Sequence, residues 1–378
     1  MDQITPFIVM DILARARKIP NAIHMEVGEP DLPPSPEVQE AFIKAIRDQR
    51  YFYTPACGLL ELREKIAEHY NAVYGVNVTP DRIVITPGTS GAFLIVFALF
   101  SQRRSKIVLS DPSYPCYKNF SYFLQIEPHF VTVSKDTNYA ISPDVIAGIN
   151  NIGAIMVSSP ANPTGSVYHA DMFRQLISHC NERKMWFISD EIYHGLVYDT
   201  KEHTALEFSD DAIIINSFSK YFCLPGIRVG WMILPEQLVR PAEILVQNLF
   251  IAANTPAQYA AIEAFNYAYL KETCETFRKR RDFLYSELRG IFEIDAKPQG
   301  AFYLWADITK YSSDALAFCT DLLEKQEVAI TPGIDFGSRW TDHVRFAYTR
   351  DIAELKEGVK RIKEFLEGNI CELPRVIS

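Results

Sequence analysis

The chain has 378 residues, 48% of them hydrophobic and 22% charged, which is the composition of a globular protein long enough for two domains. Its 38 basic and 47 acidic residues leave a net charge of −9, which argues against a general affinity for nucleic acid. The longest apolar run, Ala92–Phe100, falls far short of the roughly 18 residues of a membrane span.

The N-terminus does not read as a secretory signal, because Asp2 replaces a basic start and Pro6 and Asp11 break the apolar stretch. Seven scattered cysteines form no Cys-x-x-Cys pair, which fits a reduced cytoplasmic protein better than a disulfide framework. The eight histidines form no His-Glu-x-x-His cluster, so no metal site is expected. Glycine is scarce, 17 residues in all, so each glycine in a turn is worth reading.

In chain order, residues 1–30 are punctuated by prolines and fit no sheet pattern. They are expected to pack on the C-terminal part of the chain or on another subunit. From residue 80, short apolar runs alternate with helical patterns: Ile83–Thr86, Lys106–Leu109, His129–Val133, Ala154–Ser158, Trp186–Asp190, Ile213–Ser217 and Val229–Leu234. Such runs are too short for free helices and read as buried strands. Between two of them, Asp171 stands near the start of a helix with the stripe Met172, Leu176, Cys180. The alternation predicts an α/β fold, a three-layer αβα domain around a mostly parallel seven-stranded sheet.

After residue 255 the pattern changes. One long helical stretch is expected to reach Leu288. A strand at Phe302–Trp305, a helix at Asp314–Lys325, a strand at Val344–Tyr348 and a helix from Asp351 to Leu366 follow. This reads as a smaller α+β domain. The expected division is a large domain over 35–275 and a small one built from 1–34 and 276–378.

Ligands of open α/β sheets bind at the carboxyl ends of strands. After the first run comes Pro87-Gly88-Thr89-Ser90-Gly91, which suits a phosphate or serves as a plain capped turn. After Ser158 comes Ser159-Pro160-Ala161-Asn162-Pro163-Thr164-Gly165, where Asn162 is either aimed at a ligand or held for turn geometry. Asp190 ends an apolar strand, as a helix cap or as partner to a buried cation. Lys220 follows Ser217-Phe218-Ser219 and precedes Arg228. A lone lysine there is usually solvated, but near other cations in a dry site its pKa falls and it can form a Schiff base. Ser217, Ser219 and Arg228 offer phosphate donors. Arg345, in a strand-like run, is a surface arginine or a carboxylate clamp. A phosphate seat, a carboxylate, an amide, the phenol of Tyr193 three residues after Asp190 and a lysine are the partners that pyridoxal 5′-phosphate requires.

At these residues the sequence resembles the fold-type I pyridoxal-phosphate enzymes, and within them the class I/II aminotransferases. The likeness runs in order through Val27-Gly28-Glu29-Pro30-Asp31, Tyr53-Thr54-Pro55, the Asn162 loop, Ser189-Asp190-Glu191-Ile192-Tyr193, Ser217-Phe218-Ser219-Lys220 with Arg228, Pro298-Gln299-Gly300-Ala301-Phe302-Tyr303 and Pro332-Gly333. The resemblance implies that Lys220 holds the cofactor through a Schiff base and then shuttles a proton. It implies that Asp190 pairs with the ring nitrogen, that Tyr193 and Asn162 bond the ring's O3′, and that Tyr114 stacks on the ring. Gly88, Thr89, Ser90, Ser217, Ser219 and Arg228 would take the phosphate, with Tyr53 reaching the neighbouring subunit of a homodimer. Arg345 would bind the substrate α-carboxylate, with Gly28 and Phe302 at the edge of that pocket and Asn162 beside it.

The activity implied is transfer of an amino group from an α-amino acid to a 2-oxo acid, as in amino acid metabolism and biosynthesis. A carbon–sulfur β-lyase or an aminocyclopropane-carboxylate synthase-like enzyme would share every cofactor residue. A non-catalytic cofactor-binding regulator would need a DNA-binding domain for which the chain leaves no room. Leu224-Pro225-Gly226-Ile227-Arg228 departs from the Thr-Gly-Trp run of many relatives, and Ser90-Gly91-Ala92 lacks the lysine that some carry in that turn. No arginine for a second substrate carboxylate stands out. Phe7, Ile8 and Tyr53 are candidates for an apolar lining, or equally for core or interface.

Overall fold

The computed structural model describes residues 3–370. In chain order its strands are β1 (Ile23–His24), β2 (Ile83–Thr86), β3 (Lys106–Asp111), β4 (Pro128–Thr132), β5 (Ile152–Ser158), β6 (Trp186–Asp190), β7 (Ile213–Ser217), β8 (Gly230–Ile233), β9 (Tyr303–Asp307), β10 (Val328–Ala329), β11 (Thr331–Pro332) and β12 (His343–Ala347). Strands β2 to β8 form one seven-stranded sheet in the order β2-β8-β7-β6-β5-β3-β4. Only β8 runs against its neighbours, β2 and β7; the other pairs are parallel. The seven apolar runs seen in the sequence are these strands, with ends that differ by two residues at most.

Both faces of this sheet are covered, which is why its strands are apolar without strict alternation. Ile85, Val108, Ile155 and Ile214 join one apolar cluster, and Val84, Ile107, Met156 and Ile215 join the cluster on the other side. Helix Gly88–Ser101 is apolar almost all round and buries Phe93, Val96, Phe97 and Phe100. Helix Ala170–Glu182 buries Phe173, Leu176, Ile177 and Cys180, so its stripe starts one residue later than Met172.

Strands β11, β12 and β9 form an antiparallel sheet in that order, and β1 pairs in parallel with β10. Met25 shares a core with Phe302, Leu304, Val344, Phe346 and Leu355. Helix Ile8–Ala16 sets Ile12 and Ala16 against Leu323 and Ala329. The N-terminal segment thus packs on the C-terminal part of the chain.

The single helical stretch expected up to Leu288 is two helices, Thr255–Ile262 and Tyr267–Leu288. Asn266 breaks it: its side chain accepts from the Tyr269 amide at 3.2 Å and starts a new helix. No helix among the described residues is long and apolar enough to cross a membrane.

Candidate active site

The carboxyl ends of β2, β3, β5, β6 and β7 meet at one cleft. At the end of β2 the helix Gly88–Ser101 starts with no side-chain cap, so its first amides have no partner within the helix. Gly88 has φ +69°, and a Cβ there would stand 2.5 Å from Arg228 Nη2. The glycine therefore admits the guanidinium over the turn. Arg228, itself at φ 56°, is steadied by donating from Nη1 to the Pro225 carbonyl at 2.9 Å. Thr89, Ser90, Ser219 and Arg228 all line the cleft. Ser217 does not; its hydroxyl is buried and accepts from the Ser219 amide at 3.1 Å.

Asp190, the last residue of β6, is buried at the cleft. Its Oδ1 accepts from the Ile192 amide at 3.1 Å, and its Oδ2 accepts a short hydrogen bond from Tyr117 Oη. Burial raises its pKa to about 6, against the pull of the Tyr117 and Ile192 hydrogen bonds and of Lys220. Lys220 Nζ donates to the Gly28 carbonyl at 2.6 Å. Burial lowers its pKa to about 8; Glu29 opposes this, and Arg345 and Arg228 add to it. Tyr193 Oη lies 2.7 Å from Tyr303 Oη, and the Tyr114 ring meets the Tyr117 ring edge-on at 5.4 Å.

Arg345 on β12 is 2% exposed. Its Nη1 donates to Asn162 Oδ1 at 2.8 Å. Its Nη2 donates to the Glu26 carbonyl and, at 3.3 Å, to Thr331 Oγ1. The guanidinium carbon sits 4.2 Å from the Tyr303 ring centre and 4.8 Å from that of Phe336. Nε is buried with no hydrogen-bond partner among the described residues. A buried charged donor without an acceptor is costly, and a bound carboxylate would satisfy it.

Of the residues singled out in the sequence, Gly28, Thr89, Ser90, Tyr114, Asn162, Asp190, Tyr193, Ser219, Lys220, Arg228 and Arg345 line this one cleft. Tyr53 does not: it is 80% exposed on this chain. Phe302, expected at the substrate, is fully buried and lies outside the lining. Side chains alternate along a strand, so Tyr303 faces the cleft, and Phe302 packs behind it beside Phe277 and Tyr193 with its ring centre 5.8 Å from Lys220 Nζ. Tyr117 and Tyr303 are the residues that motif reading missed. The spacing of Tyr114 and Tyr117, one helical turn, was the available signal for the first. Phe7 joins the lining with Val9 and Met10, whereas Ile8 does not.

Pyridoxal 5′-phosphate carries a phosphate, a basic ring nitrogen and an aldehyde. The uncapped helix start with Arg228, the buried Asp190 and the lowered Lys220 are complementary to those three groups. On this sheet they define a pyridoxal-phosphate enzyme of fold type I.

Comparison with known proteins narrows the class. The family model for aminotransferases of class I and II matches residues 20–362, and the chain belongs to that family. It is 37% identical to a (5-formylfuran-3-yl)methyl phosphate transaminase of Methanocaldococcus jannaschii, over 95% of this chain and 96% of that protein. It is 34% identical to the valine–pyruvate aminotransferase of Mycobacterium tuberculosis, over 96% and 97%. A crystal structure of an aminotransferase from Mycobacterium tuberculosis superposes with a TM-score of 0.91 at 34% identity, covering 96% of this chain and 97% of the other. The aspartate aminotransferase of Thermus thermophilus with maleate gives 0.91 at 26% identity, with the same coverage. The chain is a pyridoxal-phosphate-dependent aminotransferase, of a family that works on amino acids and keto acids.

Proposed function

We propose that Lys220 carries the aldehyde carbon of the cofactor and that Arg345 receives the α-carboxylate of an amino acid with an uncharged, apolar side chain. When bound, pyridoxal phosphate supplies the electron sink that lets an α-proton leave. Lys220, released when the incoming amine takes its place, would be the base positioned to move that proton. Its pKa of about 8 leaves a usable neutral fraction for this task. Asp190 would hold a negative charge for the ring nitrogen, and a protonated nitrogen there would favour its ionised form. Tyr193 and Asn162 would hold the ring oxygen, and Tyr114 would pack on the ring. The amides and hydroxyls of Gly88, Thr89 and Ser90, with Ser219 and Arg228, hold the phosphate, and Ser217 orders the Ser219 amide.

The single observation that carries the substrate assignment is Arg345, buried, sandwiched by two rings and left with an unpaired Nε. The choice of side chain rests on the rest of the wall. Phe7, Val9, Met10, Val27 and Ile192 line it, and Lys220, Arg228 and Arg345 are the cations among the described lining residues. Each of the three already has an anionic or carbonyl partner in this scheme. The valine–pyruvate aminotransferase among the relatives agrees with an apolar donor.

The working unit we propose is a homodimer with shared sites, acting in the cytoplasm. Tyr51, Phe52 and Tyr53 are consecutive aromatics, 54%, 74% and 80% exposed, which a second copy would cover. In that dimer Tyr53 reaches the partner's phosphate. The chain divides into a cofactor domain over 35–275 and a second unit built from 1–34 and 276–378. The six cysteines described are all free, as a reducing compartment would keep them.

The test is a single-turnover screen of the holoenzyme with amino acids and no acceptor. Apolar donors convert the cofactor to its amino form and release one equivalent of 2-oxo acid, and aspartate does so far more slowly. Aspartate reacting as fast as the apolar donors would overturn the side-chain assignment. Pyruvate released catalytically from cystathionine without an acceptor would mark a carbon–sulfur lyase instead.

A further inference from the structure

We infer that Tyr303 is a positioning residue that ties the cofactor face of the cleft to its carboxylate face, each through a different part of its side chain. The inference rests on the assignments of Lys220, Tyr193 and Arg345 proposed above. Tyr303 opens strand β9, whose register sets it opposite Ala347, two residues beyond Arg345 on β12. Its side chain is 2% exposed and lines the cleft.

Three contacts meet on this one phenol. Its Oη lies 2.7 Å from Tyr193 Oη. Its ring face supports the Arg345 guanidinium at 4.2 Å, within cation–π range. Its hydroxyl also fills the space above Gly28, where a Cβ would stand 1.7 Å from the oxygen. The Gly28 carbonyl is in turn the acceptor for Lys220 Nζ at 2.6 Å. The Tyr303 hydroxyl occupies room that a side chain at residue 28 would take.

The two parts of the side chain have separable consequences. Either hydroxyl of this pair can donate; with the Tyr193 proton turned to the cofactor's ring oxygen, as in the assignment above, Tyr303 is the donor. A phenol that accepts one hydrogen bond donates the next more strongly. Tyr193 then holds the anionic ring oxygen better, and the proton conjugated with that oxygen leaves more readily. The ring, by contrast, orients Arg345 and says nothing to the cofactor. Loss of the hydroxyl should move the cofactor's titration without weakening carboxylate binding. Loss of the ring should weaken carboxylate binding as well.

The experiment uses the holoenzyme and two variants, Tyr303→Phe and Tyr303→Leu. The readouts are the pH midpoint of the bound cofactor's visible absorbance and the Kd of 3-phenylpropanoate, an unreactive carboxylate. In Tyr303→Phe the midpoint rises by roughly 0.5–1 pH unit, the worth of one hydrogen bond, and the Kd stays within about twofold of wild type. In Tyr303→Leu the midpoint rises similarly and the Kd increases roughly fivefold or more. A midpoint unchanged in Tyr303→Phe, or a Kd that rises equally in both variants, overturns the inference. Lys220→Ala separates the two levels. If the underlying assignment failed, that variant would keep the lysine-linked band. If only the Tyr303 inference failed, the band would vanish as assigned.

Discussion

Arg345 Nη1 and Asn162 Oδ1 lie 2.8 Å apart, joining a strand near the end of the chain to the proline-framed loop after β5. The contact spans 183 residues of sequence. It sets the group proposed for the substrate carboxylate beside one proposed for the cofactor's ring oxygen. Arg345→Lys keeps the charge but loses the fork that reaches Asn162, Glu26 and Thr331. We expect KM for the amino donor to rise by roughly 30-fold, with cofactor content unchanged. Steady-state kinetics and the absorbance of the purified variant check both parts.

Lys220 sets a pH dependence in cofactor loading. An unperturbed lysine, at 10.5, is almost wholly charged at neutral pH. One lowered to about 8 is neutral in about a tenth of molecules at pH 7. Only the neutral amine attacks an aldehyde. The rate at which apoenzyme takes up pyridoxal phosphate should therefore rise with pH through about 8 and level off above it. Stopped-flow absorbance at a series of pH values checks this; a rate that still climbs near pH 10 would contradict it.

Asp190 and Tyr117 make a second pair. The Tyr117 hydrogen bond holds the Asp190 pKa down, and burial holds it up. Asp190→Asn removes the charge the ring nitrogen needs. Turnover should fall by roughly 1,000-fold or more while the fold is kept, because the amide can still accept from Tyr117. Tyr117→Phe should cost roughly tenfold in kcat/KM. Raising the Asp190 pKa should also move the acid limb of cofactor binding to higher pH. Titration of cofactor affinity between pH 4 and 8 measures that shift.

Gly28 is constrained by approach and not by backbone angle. The Cβ of Gly28→Ala would collide with the Tyr303 hydroxyl. Either Tyr303 or the Gly28 carbonyl that holds Lys220 must move. Activity should drop by roughly 100-fold and Tm should fall with it, since Tyr303 belongs to the packed core as well as to the cleft. Combining it with Tyr303→Phe removes only the nearest of three colliding atoms, since Cζ at 2.5 Å and Cε1 at 2.7 Å remain, so little of the loss should be recovered.

Tyr53 tests the shared site. It is 80% exposed on one chain, so Tyr53→Phe should leave the Tm of the apoenzyme unchanged. If its hydroxyl meets the partner's phosphate, the Kd for pyridoxal phosphate should rise roughly tenfold. Sedimentation at working concentration reports the dimer directly.

The central sheet was legible because a strand buried on both faces has to be written in short Val- and Ile-rich runs, and turn chemistry then marks its carboxyl ends. Asp190, Lys220 and Asn162 stand just there, so their convergence followed from topology. Tyr117 and Tyr303 were not legible in the same way. Each works through a contact made across the fold, Tyr117 on Asp190 and Tyr303 on Tyr193, Gly28 and Arg345. At Phe302 and Tyr303 a motif names a segment and the strand's alternation decides which neighbour lines the cleft, while the Phe302 ring centre still lies 5.8 Å from Lys220 Nζ. The helix break at Asn266 was overlooked because apolar periodicity continues on both sides of it.

The most direct test of the account is borohydride reduction of the holoenzyme followed by peptide mass spectrometry. The account predicts one cofactor mass per chain, on the peptide that contains Lys220, and none in Lys220→Ala. A cofactor mass on another lysine, or a Lys220→Ala variant that still turns over amino acid at the wild-type rate, would contradict it.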